Sequence, residues 1–218
     1  MGEPPHARQQ LEPLGRRIVV ASAWGALVGV VFFAVYPTTN HWASQRASTT
    51  GVYVDWELAI PFMSQWVWVY LSMYLLFVVP PFWLGARALR RLAEVLIVVT
   101  LLAGLVFVAW PGHLGHVREL PADPLLRRVF AAIFALDAAH NTWPSLHVAY
   151  STAIVLALWP RLAPAWRVML GLWLCLLCLS TLLVHQHHVF DVVAGGLLAW
   201  GVHRIFAGRR GASAARTA

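Results

Sequence analysis

Charge is what this sequence has least of. Only 11% of its 218 residues are charged, 60% are hydrophobic and 12 are tryptophan, whereas soluble domains carry about 25% charge. An ordinary water-soluble domain is excluded. Lysine is missing altogether: the 16 basic residues are all Arg and stand between apolar runs, not in a patch. The net charge of +7 therefore points to orientation in a membrane and not to nucleic acid. Cysteine is confined to Cys175 and Cys178 in "LWLCLLCLS", mid-span, where thiols lack the access that redox chemistry needs, so they read as small apolar packing residues. The chain has no H-x-x-x-H or H-x-x-H-H box, which excludes a diiron lipid oxidase, and no internal repeat.

What it has in quantity is uncharged apolar sequence. A bilayer's hydrocarbon core takes about 20 helical residues, with a range of about 17 to 25. Ile18 to Tyr36, Ile60 to Val79, Val95 to Trp110 (extended back to Leu92), Pro144 to Trp159 and Val168 to Val184 are predicted spans. A sixth, uncharged over Val192 to Val202, reaches spanning length by starting near His187 and running to Phe206, which puts His187 and Asp191 in its first turns. The first run is long for a signal-peptide core and no A-x-A-like site follows it, so it reads as a retained anchor.

Arginine placement assigns the sides. Arg8, Arg16, Arg17, Arg87, Arg90, Arg91, Arg161, Arg167, Arg204, Arg209, Arg210 and Arg216 fall on one side of the six spans, and Arg46, Arg118, Arg127 and Arg128 on the other. Both termini are then cytoplasmic, in a plasma-membrane protein whose 1–2, 3–4 and 5–6 loops are exoplasmic. In the 3–4 loop, Asp123 before Pro124 is a helix start. Leu125, Leu126, Val129, Phe130, Ile133 and Phe134 follow at helical spacing. They predict a helix lying in the interface with Arg127 and Arg128 toward headgroups, or a packed loop helix. The expected fold is all-α: a polytopic six-transmembrane-helix bundle with an interfacial helix in the 3–4 loop. Residues 18–206 form one membrane domain between loosely ordered cytoplasmic tails, 1–17 and 207–218.

Two stretches carry titratable groups into this apolar setting. "VHQHHVFDVV", residues 184–193, opens the sixth span, and "HNTWPSLHVAY", residues 140–150, opens the fourth with Pro144 as helix starter and His147 in the first turn. Both helices run inward from the outer face, so the two stretches share a membrane level. His187 and Asp191 are four residues apart on one helix face, close enough for the carboxylate to fix the imidazole tautomer and free the other nitrogen as nucleophile or base. Two helix amino-termini add N–H donors and positive dipoles that favour an anion such as phosphate.

These residues resemble the type 2 phosphatidic acid phosphatase superfamily, and within it the branch similar to inositol phosphorylceramide synthase. The family's Pro-Ser-x-His signature stands here as "PSLH", 144–147, preceded by Asn141, and its Ser-Arg-x5-His-x3-Asp signature as "STLLVHQHHVFD", with Thr181 in place of Arg. The resemblance covers roughly residues 58–206. It implies that His187 attacks phosphorus to form a phosphohistidine, Asp191 orients it, and His147 protonates the leaving oxygen; Ser145 and Asn141 bind the phosphoryl group. The family's first signature, Lys followed after six residues by Arg-Pro, has no counterpart, and Arg118 in "WPGHLGHVRELP" is the nearest guanidinium, with Arg127 and Arg128 as competitors. The substrate implied is a lipid phosphate in contact with membrane lipids, with water or an alcohol such as inositol as acceptor, no metal or other cofactor and no nucleic acid.

Two rivals stand beside this reading. One is a metal-dependent membrane hydrolase, in which H-x-H-H, Asp191 and His147 ligate zinc. The other is a non-enzymatic lipid transporter or binding protein that holds a phosphate headgroup in the same pocket. His41, His113, His116 and His203 read as hydrated or structural, and His185 and His188 as either support for His187 or solvated.

Overall fold

The computed structural model describes residues 12–137 and 140–214, with side chains through residue 208. Most of the predicted amino-terminal tail and the end of the carboxyl-terminal one, with Arg8 and Arg216, lie outside the described residues. Among those residues the chain is all-helical, and pairing outside helices is an isolated parallel bridge between Thr50 and Gly112.

Among the described residues four helices are long and apolar enough to cross a membrane: α1 (Leu14–Ser44), α5 (Ala86–Ala109), α8 (Pro164–Leu183) and α9 (Val189–Ala214, apolar to Gly208). At 1.5 Å per residue α1 is about 46 Å long and runs past its predicted end at Tyr36 with Pro37 inside it. The loop before α7 holds that extension, because Asn141 Nδ2 donates to Tyr36 O and to Thr39 Oγ1. The arginines of the predicted 2–3 loop, Arg87, Arg90 and Arg91, stand on the opening turns of α5, where Arg90 pairs with Glu94 at 2.8 Å.

The second predicted span is not one α-helix. It is a run of short pieces, a 3-10 turn Ser64–Trp66 followed by α2 (Val67–Leu71), α3 (Met73–Leu76) and α4 (Pro80–Trp83), whose junctions at Ser72, Phe77 and Val79 keep right-handed helical dihedrals. Ser72 disturbs the ladder: its hydroxyl donates to Val69 O at 2.6 Å and accepts from Trp173 Nε1 of α8 at 2.9 Å. Its own N–H is shared between Trp68 O and Val69 O. Pro80 and Pro81, which lack N–H donors, complete the break.

The fourth predicted span is α7 (Leu146–Leu158), closed by a 3-10 turn Trp159–Arg161. At about 20 Å it is shorter than a hydrocarbon core of about 30 Å. It is also the most enclosed helix, packing on α3, α4, α5, α8 and α9. Ala149, Ala153 and Leu158 meet Val99 and Ala103 of α5 and Ala199 of α9, all with no exposed surface; small residues at these crossings let the backbones approach closely. The outside is apolar too: Phe33, Leu105, Leu172 and Leu197 are each more than 60% exposed. That inversion suits lipid as the surrounding solvent, and the protein is a helical membrane protein.

α6 (Pro124–Leu136) starts where the sequence places it, with Asp123 Oδ1 accepting from Leu126 N–H at 2.8 Å. Its apolar stripe packs on protein, Leu126 and Phe130 burying against Val67, Tyr70 and Val184.

The two ends of the bundle are chemically different. At the arginine-rich end, Arg17 donates to Phe82 O and Glu12 accepts from Ala86 N–H, tying α1 to the α4–α5 turn. At the other end the loops before α2, before α6 and before α9 are bonded to one another. Thr50 N–H donates to Pro111 O and Met63 N–H to Leu183 O, and Glu57 of the 3-10 turn Asp55–Ala59 accepts from Val189 N–H at 2.7 Å.

Candidate active site

The nucleophile candidate sits on a turn, not on a helix. α8 ends at Leu183, and His185 takes a left-handed conformation, φ 54°, one that histidine tolerates better than most residues. The N–H groups of Gln186 and His187 then both donate to Thr181 O. α9 begins only at Val189, so His187 precedes the first turn in which the sequence placed it. The four-residue step to Asp191 works by another route. Asp191, at the third helical position, reaches back so that Oδ2 accepts from His188 N–H at 2.8 Å, one arm of a capping box. The same oxygen lies 3.4 Å from His187 Nδ1. One carboxylate thus caps α9 and stands beside Nδ1 of the imidazole, with Nε2 as the other nitrogen. His187 is 4% exposed and neither ring nitrogen has a hydrogen-bond partner among the described residues.

The second half of the site is the start of α7. Ser145, not Pro144, is the boundary residue: its hydroxyl caps the helix by accepting from Val148 N–H, and Leu146 is the first helical residue. His147 is therefore in the first turn, as the sequence predicts. Its ring stacks on Tyr70 at 4.5 Å, with Nδ1 3.4 Å from Tyr70 Oη, and its centroid is 5.8 Å from that of His187. The halves are locked by backbone. Ser145 N–H donates to Asp191 O at 3.0 Å, and a Cβ on Gly195 would stand 2.4 Å from Ser145 O. Only glycine permits that approach, and the sequence gives no sign of it.

His147 and His187 line one end of a cavity of about 420 Å³. Tyr36, Tyr74 and Asp137 share this polar end, while Tyr150, whose hydroxyl is bonded to Thr100 of α5, stands beside Phe32, and Trp24, Val28 and Phe32 of α1 with Leu89, Leu92 and Leu96 of α5 carry an apolar wall toward the opposite membrane face. Both histidines therefore stand at the polar end of an otherwise apolar cavity.

The structure places the phosphate-binding candidates around this end and not on the cavity wall. Asn141 is buried against α1. Arg118 Nη1 donates to Asp137 O at 2.5 Å, with its guanidinium 4.8 Å over Phe134. Arg127 donates to Pro121 O, and Arg128 is exposed. Many of the helix-terminal donors expected for an anion are already taken, by Ser145 on α7 and by Asp191 and Glu57 on α9.

The other histidines of the cluster face away. His185 stacks on His116 at 3.7 Å with 9° between the rings, and His116 stacks on His188 at 5.0 Å. His188 Nε2 accepts from Gly115 N–H at 3.0 Å, which puts its proton on Nδ1, 3.4 Å from Glu57 Oε2. Parallel rings do not converge their lone pairs, and no group of three or more His, Cys, Asp or Glu among the described residues is arranged to hold a metal ion. Glu57, 2% exposed, was not expected from sequence. Glu57 is one of two acids in "YVDWELAIPF", and its role shows only when the fold brings it to α9.

No curated protein and no solved structure matches the chain. Residues 117–211, which include Arg118, Asn141, Ser145, His147, His187 and Asp191, match the family model described as the PAP2 superfamily, and this match supports that superfamily for the chain.

Proposed function

We propose that this protein transfers a phosphoryl or phospho-head group from a lipid phosphate through a phosphohistidine on His187. The observation that carries this is the cavity: two histidines at the polar end of a long apolar slot, one of them with Nδ1 beside Asp191 and a buried Nε2 that has no hydrogen-bond partner among the described residues. The slot follows α1 from Ala21 to Tyr36, about 22 Å of helix at 1.5 Å per residue. A lipid tail fills such a slot, and a soluble phosphate ester does not.

In the first half-reaction His187 Nε2 attacks phosphorus while Asp191, beside Nδ1, stabilises the charge that develops on the ring. His147 gives its proton to the departing oxygen. The amino-terminal dipole of α7, whose start Ser145 holds in place, favours the phosphoryl oxygens, with Arg118 supplying positive charge from behind Asp137. Water or an alcohol then takes the phosphoryl group, the alcohol in keeping with the resemblance to the inositol phosphorylceramide synthase branch.

The topology we propose has six crossings. The run from Ser64 to Trp83 spans about 30 Å or more even with its tighter turns, and α7 with its closing 3-10 turn is the fourth crossing. Both termini then lie in the cytoplasm with the arginine-rich end, and the site opens at the exoplasmic face of the plasma membrane.

The test uses full-length protein in detergent with phosphatidate, lysophosphatidate and farnesyl diphosphate, each with and without inositol or glycerol. Free phosphate and phospho-alcohol are measured beside His187→Ala. Turnover of at least one donor is expected, falling about 10⁴-fold or more in the variant while its elution volume stays unchanged. No turnover of any donor removes the enzyme reading and leaves lipid binding. Loss of activity with EDTA, restored by zinc, replaces the phosphohistidine with a metal site.

A further inference from the structure

Asp137 is a carboxylate in a cavity suited to an anion, and the first half-reaction gives it no task. It ends α6, where its N–H donates to Ile133 O at 2.8 Å. Its carbonyl accepts from Arg118, and its Oδ1 accepts from Tyr36 Oη of α1 at 2.5 Å. The backbone is thereby fixed from α6 and the loop before it and the carboxylate from α1 by Tyr36, and the residue lines the same polar end as His147 and His187.

A carboxylate beside a bound phosphate repels it, so Asp137 is a poor phosphate ligand. A neutral hydroxyl is a different matter, because a carboxylate accepts its hydrogen and, in a dry site, its proton. Burial raises the carboxyl above its ordinary range, opposed by the Tyr36 hydrogen bond and by His187 and Arg118. Raised basicity favours proton acceptance.

We propose that Asp137 is the catalytic base of the second half-reaction, taking the proton of the oxygen nucleophile that attacks the phosphohistidine. This rests on the phosphohistidine reading above. The nucleophile's O–P bond forms as the P–Nε2 bond to His187 breaks, the bonding pair returns to Nε2, and the hydroxyl proton passes to the Asp137 carboxylate. Asp137 then releases that proton to solvent as the product leaves, and His147, which gave its proton to the first leaving oxygen, takes one up from solvent, so both groups begin the next turnover unchanged. Water and an alcohol present the same hydroxyl to the base, and the products tell them apart.

The experiment follows label from lysophosphatidate carrying ³²P in full-length protein in detergent. In Asp137→Asn the amide cannot take the proton, so His187 is still phosphorylated but not discharged. Acid-labile label is expected to accumulate toward one per chain while steady-state turnover falls about 10²- to 10⁴-fold. Phosphate release in water and phosphoglycerol formation with added glycerol should fall together. Tyr36→Phe, which unpins the carboxylate without removing it, should accumulate label to a smaller extent. Turnover of Asp137→Asn within about threefold of wild type overturns the inference and leaves the phosphohistidine reading standing, as does loss of labelling together with turnover in a folded variant. If Asp137→Asn elutes as aggregate, absence of label build-up in Tyr36→Phe overturns it instead. A wild-type chain that turns lysophosphatidate over without ever carrying label on His187 overturns the phosphohistidine reading itself.

Discussion

Two groups of histidines lie at the same end of this bundle and meet opposite fates. His147 and His187 line the cavity, whereas His116, His185 and His188 stack ring on ring. His185 is 2.9 Å from Ile60 O through Nε2 and His188 accepts from Gly115 N–H. His185, His187 and His188 even come from one turn. What separates them is backbone: the left-handed step at His185 and the two N–H bonds to Thr181 O turn His187 to the cavity and its neighbours away from it. A density of histidines is therefore a poor marker of chemistry. A ring nitrogen left without a protein partner inside a cavity is a better one.

The largest way to sharpen that contrast is to remove the acid of the cavity pair. His147→Gln is expected to lower kcat by about 10²- to 10⁴-fold on a lipid phosphate. The loss should be much smaller on an aryl phosphate, whose leaving oxygen needs no proton. His185→Gln, in the stack, should show no such dependence on the leaving group. Equal losses of His147→Gln on both substrates would remove its role as general acid.

A middle-sized effect tests whether the stacked group serves the cavity group. Glu57 Oε2 accepts from Val189 N–H and faces His188 Nδ1, and Oε1 accepts from Val54 N–H. All of these partners are donors, so an amide at this position would set its NH₂ against one of them. Glu57→Gln should shift the start of α9 and with it Asp191 and His187; small misplacements of this kind cost up to about 100-fold in rate. We expect kcat to fall by about tenfold or more with KM nearly unchanged, because the apolar slot that binds the tail is untouched. A change in KM alone would assign Glu57 to folding of the loop and not to positioning of His187.

Much of this was legible in sequence and some of it was not, for physical reasons that differ by residue. The apolar runs gave α1, α5, α8 and α9 because lipid demands them in one continuous piece, and Asp123–Pro124 gave α6 because capping is local. "PSLH" and the His187–Asp191 step were readable as a pair because each is short-range. The break in the run from Ser64 to Trp83 was hidden, since Ser72 acts through Trp173, 101 residues away. Glu57 and Asp137 were hidden for the same reason: their partners Val189 and Tyr36 lie 132 and 101 residues distant. The placement of His187 before α9 was missed because a spacing of four reads as one helix face, and a capping box gives the same contact from outside the helix.

The smallest expected effect is on stability and concerns the stack alone. Burial, then the neighbouring His185 and His188, pushes the His116 imidazolium down from 6.5 to about 4. The unfolded chain, with His116 near 6.5, therefore binds more protons than the folded one between those values. By linkage the contribution of His116 to stability is fully present above about pH 6.5 and is lost as pH falls toward 4. Partial exposure of the ring and screening keep the effect modest. Thermal unfolding in detergent should show Tm declining across this window in the wild type, and His116→Phe, which keeps a flat ring against His185 without a titrating nitrogen, should flatten the decline. An unchanged slope would mean that some other group controls the acid limb and that the stack is held by its rings, whatever their charge.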